Sequence, residues 1–385
     1  MFHVITENIS DWERNANFCI KPIKKWDFLT FLRIVAMPIL LFIGIFGNSL
    51  TIYLISKIRN KSLNYYYLKW IAYLNIITIL FYWTSAIVYI KTYVSSPYFN
   101  NKFFVHFNSK YTLIFINGFY AASVFCLCLL LLDRYVSIKH PNLFTRFEDS
   151  KLMKYSPYFI LILCNIICFS SYFWYDTKAC YLNSKYMTSY ELPDFKKQSI
   201  KYYKISVAEP GWASTYDLIR EIILSITPGV FILYFGVYIT YELRSFFIRK
   251  TQLMNENKAL DANIALAHKE WKSHFLRNIS AFLYFILYCL CNIPNILVII
   301  FRANIRNALK RSNPSWLAKN ITEIANILEA VFFTLSFLIY IIFDNNFKHV
   351  IRKIVQRAIG KIYPEFQGTE TATRYTISQT NVATL

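Results

Sequence analysis

Charged side chains are scarce in this sequence, and they are unevenly distributed. Asp, Glu, Lys and Arg make up 17% of the 385 residues, whereas soluble domains carry about a quarter. Hydrophobic residues reach 56% and are concentrated in long blocks, six of which contain no charged residue. A water-soluble core does not explain such blocks, because each is about as long as a bilayer crossing, roughly 20 residues. An ordinary soluble protein is therefore excluded.

Metal-site patterns, a cleaved leader and internal repeats are also missing. No Cys/His group has the spacing of a zinc site, and the apolar blocks hold no His/Asp/Glu cluster, so we predict no metal, no cofactor and no enzyme. Residues 1–25 are too polar for a cleaved signal peptide. The lack of repeated halves disfavours a transporter built on paired repeats. Six of the eight cysteines lie inside apolar blocks: Cys126, Cys128, Cys164, Cys168, Cys289 and Cys291.

The formal net charge is +20, from 42 Lys and Arg against 22 Asp and Glu. A nucleic-acid-binding protein would gather that charge on one polar face or arm. Here the basic residues fill the short gaps between apolar blocks, which places them beside lipid headgroups. We therefore expect an anionic bilayer surface as the partner and no nucleic acid.

Seven blocks are candidate membrane spans. Because backbone groups in lipid must be satisfied within the segment, each block is predicted to be a helix. The seventh is the least apolar by sequence, since Lys319, Glu323 and Glu329 lie in its first half. The expected fold is an all-α membrane protein, a seven-transmembrane helix bundle. The blocks are Ile34–Ser56, Trp70–Ile90, Tyr111–Leu132, Tyr155–Tyr175, Ile222–Tyr241, Asn278–Phe301 and Leu317–Phe343.

Loop charge does not decide the orientation, because Lys and Arg divide almost evenly between the two sides. A glycosylation sequon at Asn8 suits an external amino terminus. We therefore expect an extracellular segment at residues 1–30, the bundle at 31–343 and a multi-pass protein of the plasma membrane.

Residues 344–363 have the pattern of a short amphipathic helix. Apolar residues from Phe347 to Ile362 recur at three- and four-residue steps, with Lys and Arg on the other face. Such a helix is suited to lie along an anionic inner leaflet, and Asp344 or Asn345 could cap it. The remaining tail, residues 364–385, is polar and threonine-rich, so we predict a disordered cytoplasmic tail.

The third block ends in a string that resembles a known family. Residues 132–141 read Leu-Asp-Arg-Tyr-Val-Ser-Ile-Lys-His-Pro. The third helix of rhodopsin-like G-protein-coupled receptors closes similarly, with Asp-Arg-Tyr, two residues, Ile, two more and Pro. Gly47-Asn48, the proline positions in blocks five and six, and Tyr340 followed by Phe347 also agree. The resemblance covers about residues 31–362.

The departures mark a divergent member. Ser336-Phe337 replaces the usual Asn-Pro pair of the seventh helix, and Asn292 replaces the tryptophan two residues before Pro294. Asn75 stands where an aspartate is usual. Ser109 stands where the family places a disulfide cysteine.

The resemblance implies roles for residues at the inner face. Arg134 would be held by Asp133 in the resting state and released towards a heterotrimeric G protein on activation. The other residues implied in coupling and activation are Tyr135, Ile138, Pro141 and Tyr340. The threonine-rich tail would suit arrestin.

Two further groups follow from the resemblance. Asn48, Asn75, Ser123 and Ser336 would form a polar cluster in the core, for which interhelical hydrogen bonding is favoured over a sodium site. Pro228 and Pro294 remove backbone donors and are expected to kink their helices, which would let the inner end of the sixth span swing outward.

The ligand is expected to be extracellular and peptidic. The positions that carry an aspartate in amine receptors and a lysine in opsins correspond to Ile116 and Ala330, so both classes are disfavoured. An ionisable side chain within a span indicates a site, because it is costly to insert. The candidates are Asp217, Arg220, Glu221, Glu323 and Glu329, although a salt bridge among them, such as Arg220 with Glu329, would explain the same pattern.

Two alternatives stay open at this stage. Cys19 and Cys180 would both be extracellular and could bridge each other, or stay as two unpaired thiols.

The leading function is a neuropeptide receptor; a chemosensory receptor of the same fold comes second, and a membrane transporter third. Neither a transporter nor a membrane enzyme explains the string from Asp133 to Pro141.

Overall fold

The computed structural model describes residues 35–58, 62–93, 107, 111–169, 175–182, 200–207, 213–256, 279–294, 296–297 and 315–362. Almost all of this is helix. The helices are α1 Met37–Lys57, α2 Leu63–Tyr93, α3 Leu113–Lys139, α4 Pro141–Asp149, α5 Lys151–Phe169, α6 Ala213–Glu221, α7 Thr227–Glu256, α8 Ile279–Pro294, α9 Ser315–Phe343 and α10 Asn345–Ile362. Two strands, β1 Tyr175–Leu182 and β2 Ile200–Val207, lie between α5 and α6.

Five described helical segments are long and apolar enough to cross a membrane. The shortest has 19 residues, which at about 1.5 Å per residue approaches the thickness of the hydrocarbon core. The prediction of a helical membrane protein is therefore confirmed. The five are Met37–Lys57, Ile114–Lys139, Lys151–Phe169, Ile219–Glu242 and Ile324–Phe343.

The other two predicted spans are helical in the structure, but their described parts are not among the segments that are long and apolar enough to cross a membrane. The described part of the sixth span, Ile279–Pro294, is apolar but shorter. Helix α2 has 31 residues, and the side chains of its last nine residues, 85–93, lie outside the described part of the structure. A count of seven crossings accordingly remains a prediction.

Helix α3 is the central helix of the bundle. It packs against α2, α5 and α7, while α1 packs against α2 and α9. Helix α5, in contrast, turns a broad apolar surface outward, with Phe159 68% exposed. Exposed apolar side chains are stable in lipid and costly in water, so this distribution fits a bundle with α3 inside and α5 facing acyl chains.

The two strands form an antiparallel hairpin that the all-α prediction missed. Tyr175 pairs with Val207 and Leu182 pairs with Ile200, so the register is uninterrupted along both strands. Cys180 lies on β1 opposite Tyr202. The segment between the fourth and fifth predicted spans is thus partly a hairpin and not only a long loop.

A π-helical turn, Ile222–Ile226, joins α6 to α7 directly before Pro228. The backbone N–H of Thr227 donates to the carbonyl of Ile222, five residues back, and the Thr227 hydroxyl donates to the same carbonyl at 2.8 Å. Pro228 cannot donate a backbone hydrogen bond. The helix is therefore locally widened just ahead of Pro228, whereas the kink expected at Pro228 itself stays a prediction. Pro294 lies within the helical part of the sixth span, since residues 296–297 are also helical.

Asp344 fixes the corner between α9 and α10. Its Oδ1 accepts a hydrogen bond from the backbone N–H of Asn346 at 2.8 Å, as an N-cap does. Its Oδ2 accepts from the Tyr65 hydroxyl at 2.9 Å. Phe347 is fully buried, with its ring centroid 6.1 Å from that of Tyr65 and 6.3 Å from that of Tyr340. Helix α10 is therefore anchored to the bundle at its first turn, and its cap is the predicted Asp344.

We expect Asp344→Ala to loosen α10. The change removes the cap and one acceptor of Tyr65, and loss of an N-cap alone costs about 0.5–2 kcal/mol. Hydrogen exchange should accelerate in residues 345–350, and the melting temperature of the purified protein should fall. Asn345→Ala, at an exposed neighbouring position, is the matched control. Equal exchange rates in the two variants would contradict the capping role.

Candidate functional site

A buried ion pair lies at the end of α3. The Nε and Nη2 atoms of Arg134 donate to Asp133 Oδ2 at 3.1 and 2.5 Å. Asp133 is 0% exposed and Arg134 is 3% exposed. Removing one member of such a pair leaves a buried uncompensated charge, which typically costs about 3–5 kcal/mol. The structure thus brings together the two residues that the sequence singled out first.

Tyr340 reaches this ion pair from α9. It is buried and interacts electrostatically with Arg134. Its hydroxyl has no hydrogen-bond partner among the described residues, and neither does Asp133 Oδ1. Polar atoms buried in this way are uncommon in folded proteins. The carboxyl-terminal parts of α3 and α9 therefore both carry buried polar groups that retain hydrogen-bonding capacity.

The rest of the predicted coupling string continues along α3 and into α4. The Tyr135 ring packs on α7, with centroids 5.3 Å from Phe235 and 4.7 Å from Tyr238. Lys139 Nζ donates to the Tyr135 hydroxyl at 2.9 Å. Ile138 is partly buried against the core. Pro141 is the first residue of α4, where a proline costs no helical hydrogen bond.

The predicted polar cluster comes together in the core between α1, α2, α3 and α9. Asn48 Nδ2 donates to the carbonyl of Phe333 at 3.1 Å and to that of Gly44 at 2.8 Å. Asn75 Nδ2 lies 3.4 Å from Asn48 Oδ1 and 3.4 Å from Ser336 Oγ. Ser123 Oγ donates to Asn75 Oδ1 at 2.7 Å. Its members hydrogen-bond one another across four helices, the arrangement favoured from the sequence.

Tyr284 of α8 lies between this cluster and Tyr340. Its ring centroid is 5.6 Å from that of Tyr340. Its buried hydroxyl makes no hydrogen bond to a described residue, so the rings of Tyr284 and Tyr340, and not a chain of hydrogen bonds, lie between the core cluster and the Asp133–Arg134 pair.

Three of the predicted ligand residues line one small cavity. Arg220 and Glu221 reach it from α6, and Glu329 reaches it from α9. Its volume is about 20 Å³, enough for a single water molecule, which needs about 10–15 Å³. The remaining lining residues are Asn117, Tyr120, Ala121, Leu224 and Ser225.

The charged side chains that line the cavity are buried. Arg220 Nη2 donates to Glu221 Oε1 at 3.0 Å, and Ser225 Oγ donates to Glu221 Oε2 at 3.2 Å. Glu329 is 1% exposed and interacts electrostatically with the tyrosines Tyr82, Tyr120 and Tyr288. Asp217 and Glu323 lie on α6 and α9, but their side chains are outside the described part of the structure.

One contact beside the cavity was not predicted. The Tyr120 hydroxyl donates a hydrogen bond to Asn292 Oδ1, which joins α3 to α8. Asn292 Nδ2 donates in turn to the carbonyl of Tyr288 at 3.2 Å. Asn292 was noted from the sequence only as a departure from the family tryptophan. The sequence carries no local signal for this contact, because it depends on how α3 and α8 lie side by side.

Several predicted features lie outside the described residues. These are Asn8, Cys19, the 1–30 segment and the tail from residue 364 onward, and the side chain of Cys180 belongs with them. Among the residues that the structure describes, no three His, Cys, Asp or Glu side chains are grouped as metal ligands.

No family model matches the sequence, and no curated protein matches it.

Proposed function

We propose that this protein is a divergent rhodopsin-like G-protein-coupled receptor of the plasma membrane. An extracellular ligand would bind the outer part of the bundle and shift it between two conformations. The inner face would then promote nucleotide exchange on a heterotrimeric G protein. The two further crossings that the proposal requires would be α2 and the sixth span around α8.

The observation that carries this proposal is the buried Asp133–Arg134 pair at the end of the central helix. An arginine placed only to contact phospholipid phosphates would extend its side chain to the headgroups. Here the guanidinium is instead turned onto the neighbouring carboxylate and is almost fully buried. An arginine held in this way can be released when the surrounding helices move apart.

A peptide is the ligand class that we propose. The cavity wall carries two carboxylates and one guanidinium, groups that recognise charged or amide side chains through charge-assisted hydrogen bonds. The β1–β2 hairpin adds a second possible contact, because the outer edges of a two-stranded sheet can pair with an extended chain. The threonine-rich tail would be the region for arrestin.

The experiment that tests the proposal is a peptide-library screen in transfected cells with a second-messenger readout. An activating peptide should then be shown to promote nucleotide exchange on purified G protein by the receptor in nanodiscs. Activity in both assays would support the proposal. Failure of the receptor to promote exchange, even in variants that release Arg134, would overturn it.

Glu329→Gln should weaken the activating peptide. The change keeps the shape of the side chain but removes its charge, and hydrogen bonds to charged groups are worth about 1.5–3 kcal/mol, or roughly tenfold to a hundredfold in potency. Glu242→Gln, in the middle of α7 and outside the cavity lining, is the control. Unchanged potency in Glu329→Gln would remove this residue from the ligand site.

A further inference from the structure

The Asp133 carboxylate relies on its neighbour for hydrogen bonds. Both bonds that it accepts from described residues come from Arg134 and end on Oδ2, whereas the buried Oδ1 accepts none. When Arg134 leaves this carboxylate, as the proposed function requires, a buried negative charge remains. Such a charge is costly unless another donor takes over. A second donor near Asp133 would therefore determine how readily Arg134 is released.

Tyr67 of α2 is placed to be that donor. Its side chain is fully buried and reaches α5, where its hydroxyl donates to the carbonyl of Met153 at 3.1 Å. Helix α3 packs against both α2 and α5. Tyr67 interacts electrostatically with Asp133 and with Cys126, which lies two turns earlier on the same face of α3. The Tyr67 hydroxyl is therefore beside the face of α3 that carries Asp133.

The acceptor that Tyr67 now uses does not depend on it. In α5, the carbonyl of Met153 would normally accept from the backbone N–H of residue 157, but Pro157 has none. Ser156 Oγ donates to the same carbonyl at 2.8 Å. The Met153 carbonyl therefore keeps a donor when the Tyr67 hydroxyl turns away, so the exchange leaves no buried backbone group unsatisfied.

We propose that Tyr67 is a positioning residue that takes over the Asp133 carboxylate when Arg134 is released. Its hydroxyl transfers its hydrogen bond from the Met153 carbonyl to Asp133 Oδ1. A hydrogen bond to a charged carboxylate is stronger than one to a neutral carbonyl, so the exchange stabilises the released state. The inference rests on the proposed receptor function for that state, but the exchange itself requires only the loss of the arginine.

The first test measures stability and needs no ligand. Arg134→Ala removes the arginine, which leaves Tyr67 as the donor to the carboxylate. Adding Tyr67→Phe should then lower the melting temperature of the protein in nanodiscs by several degrees more than Tyr67→Phe does in the wild-type protein. In an Asp133→Asn/Arg134→Ala background the carboxylate is absent, and this additional loss should disappear.

Tyr66→Phe is the matched control for the stability test. It removes the adjacent hydroxyl, which donates to the Lys154 carbonyl at 2.7 Å on the exposed side of the bundle, so its effect should be equal in all three backgrounds. Arg134→Met, which keeps most of the side-chain volume, replaces Arg134→Ala if that variant does not fold. Equal effects of Tyr67→Phe in the three backgrounds would overturn the proposal, whatever the function of the protein.

The second test measures signalling by the activating peptide. Tyr67→Phe should raise the peptide concentration for half-maximal second-messenger output roughly threefold to thirtyfold, the difference between a hydrogen bond to a charged group and one to a neutral carbonyl. Tyr66→Phe should leave it unchanged. An unchanged concentration in Tyr67→Phe would also overturn the proposal. Absence of signalling by the wild-type protein would count against the receptor function instead, and the stability test would still decide whether Tyr67 donates to Asp133.

Discussion

Arg134→Ala is expected to reduce ligand-stimulated signalling to the level of untransfected cells while the protein still binds its ligand. The guanidinium is the group proposed to meet the G protein, whereas the cavity around Glu329 and Arg220 lies elsewhere in the bundle. Signalling and ligand binding should therefore separate. Second-messenger output and binding of a labelled peptide, both normalised to surface expression, provide the measurement.

Two companion variants separate this effect from misfolding. Arg134→Ala leaves Asp133 as a buried unpaired carboxylate, which carries a large folding penalty. Asp133→Asn/Arg134→Ala removes both charges, so it should fold better than Arg134→Ala alone. It should still give no ligand-stimulated second-messenger output. Asp133→Asn alone should release Arg134 and raise basal output. Retained signalling in the double variant would contradict the role assigned to Arg134.

Gly47→Ala is expected to destabilise the folded bundle. A Cβ atom at position 47 would overlap the ring of Phe337, which packs against α1. Forcing extra volume into a packed interior costs about 1–3 kcal/mol, which exceeds the gain of about 0.5–1 kcal/mol from replacing glycine in a helix. The melting temperature of the purified protein should fall by several degrees.

Gly229→Ala is the matched control for Gly47→Ala. Its added Cβ would lie 3.3 Å from Ile296 Cδ1, the end of a flexible side chain that can shift slightly. We expect little change or a small stabilisation. Phe337→Leu should restore much of the stability lost in Gly47→Ala, because the smaller leucine side chain leaves room for the added Cβ atom. An equal loss in both glycine variants, or no rescue by Phe337→Leu, would show that the contact between α1 and α9 is not the cause.

Hydropathy located the helices well but not their ends. The third predicted span stops at Leu132, whereas α3 continues to Lys139. An uncharged block marks only the part of a helix that lies in hydrocarbon. The helix continues beyond that block for as long as its backbone groups are hydrogen-bonded and its polar side chains have partners or water. The part of the predicted coupling string from Asp133 to Lys139 therefore belongs to α3 and not to a loop.

The polar cluster shows what a family resemblance can add to a sequence. Asn48, Asn75, Ser123 and Ser336 are far apart in the chain, and no local pattern connects them. The resemblance placed them together, and the structure does so as well. The hairpin was missed because the segment was read as a loop between spans.

Side-chain pairings in the cavity could not be predicted from spacing. The sequence left open a salt bridge among the ligand candidates and named Arg220 with Glu329 as an example; the structure shows such a bridge between Arg220 and its neighbour Glu221. The Tyr120–Asn292 contact depends on how α3 and α8 lie side by side, which neither residue's local sequence determines. Helix faces can be read from periodicity, but contacts between particular side chains depend on the packing of whole helices.

The central claim is that the chain crosses the membrane seven times and presents Arg134 to the cytosol. Epitope tags at the two termini, detected on intact and on permeabilised cells, test it most directly. The account predicts an amino-terminal tag accessible on intact cells and a carboxyl-terminal tag accessible only after permeabilisation. Both tags on one side of the membrane would mean an even number of crossings and would contradict the receptor assignment.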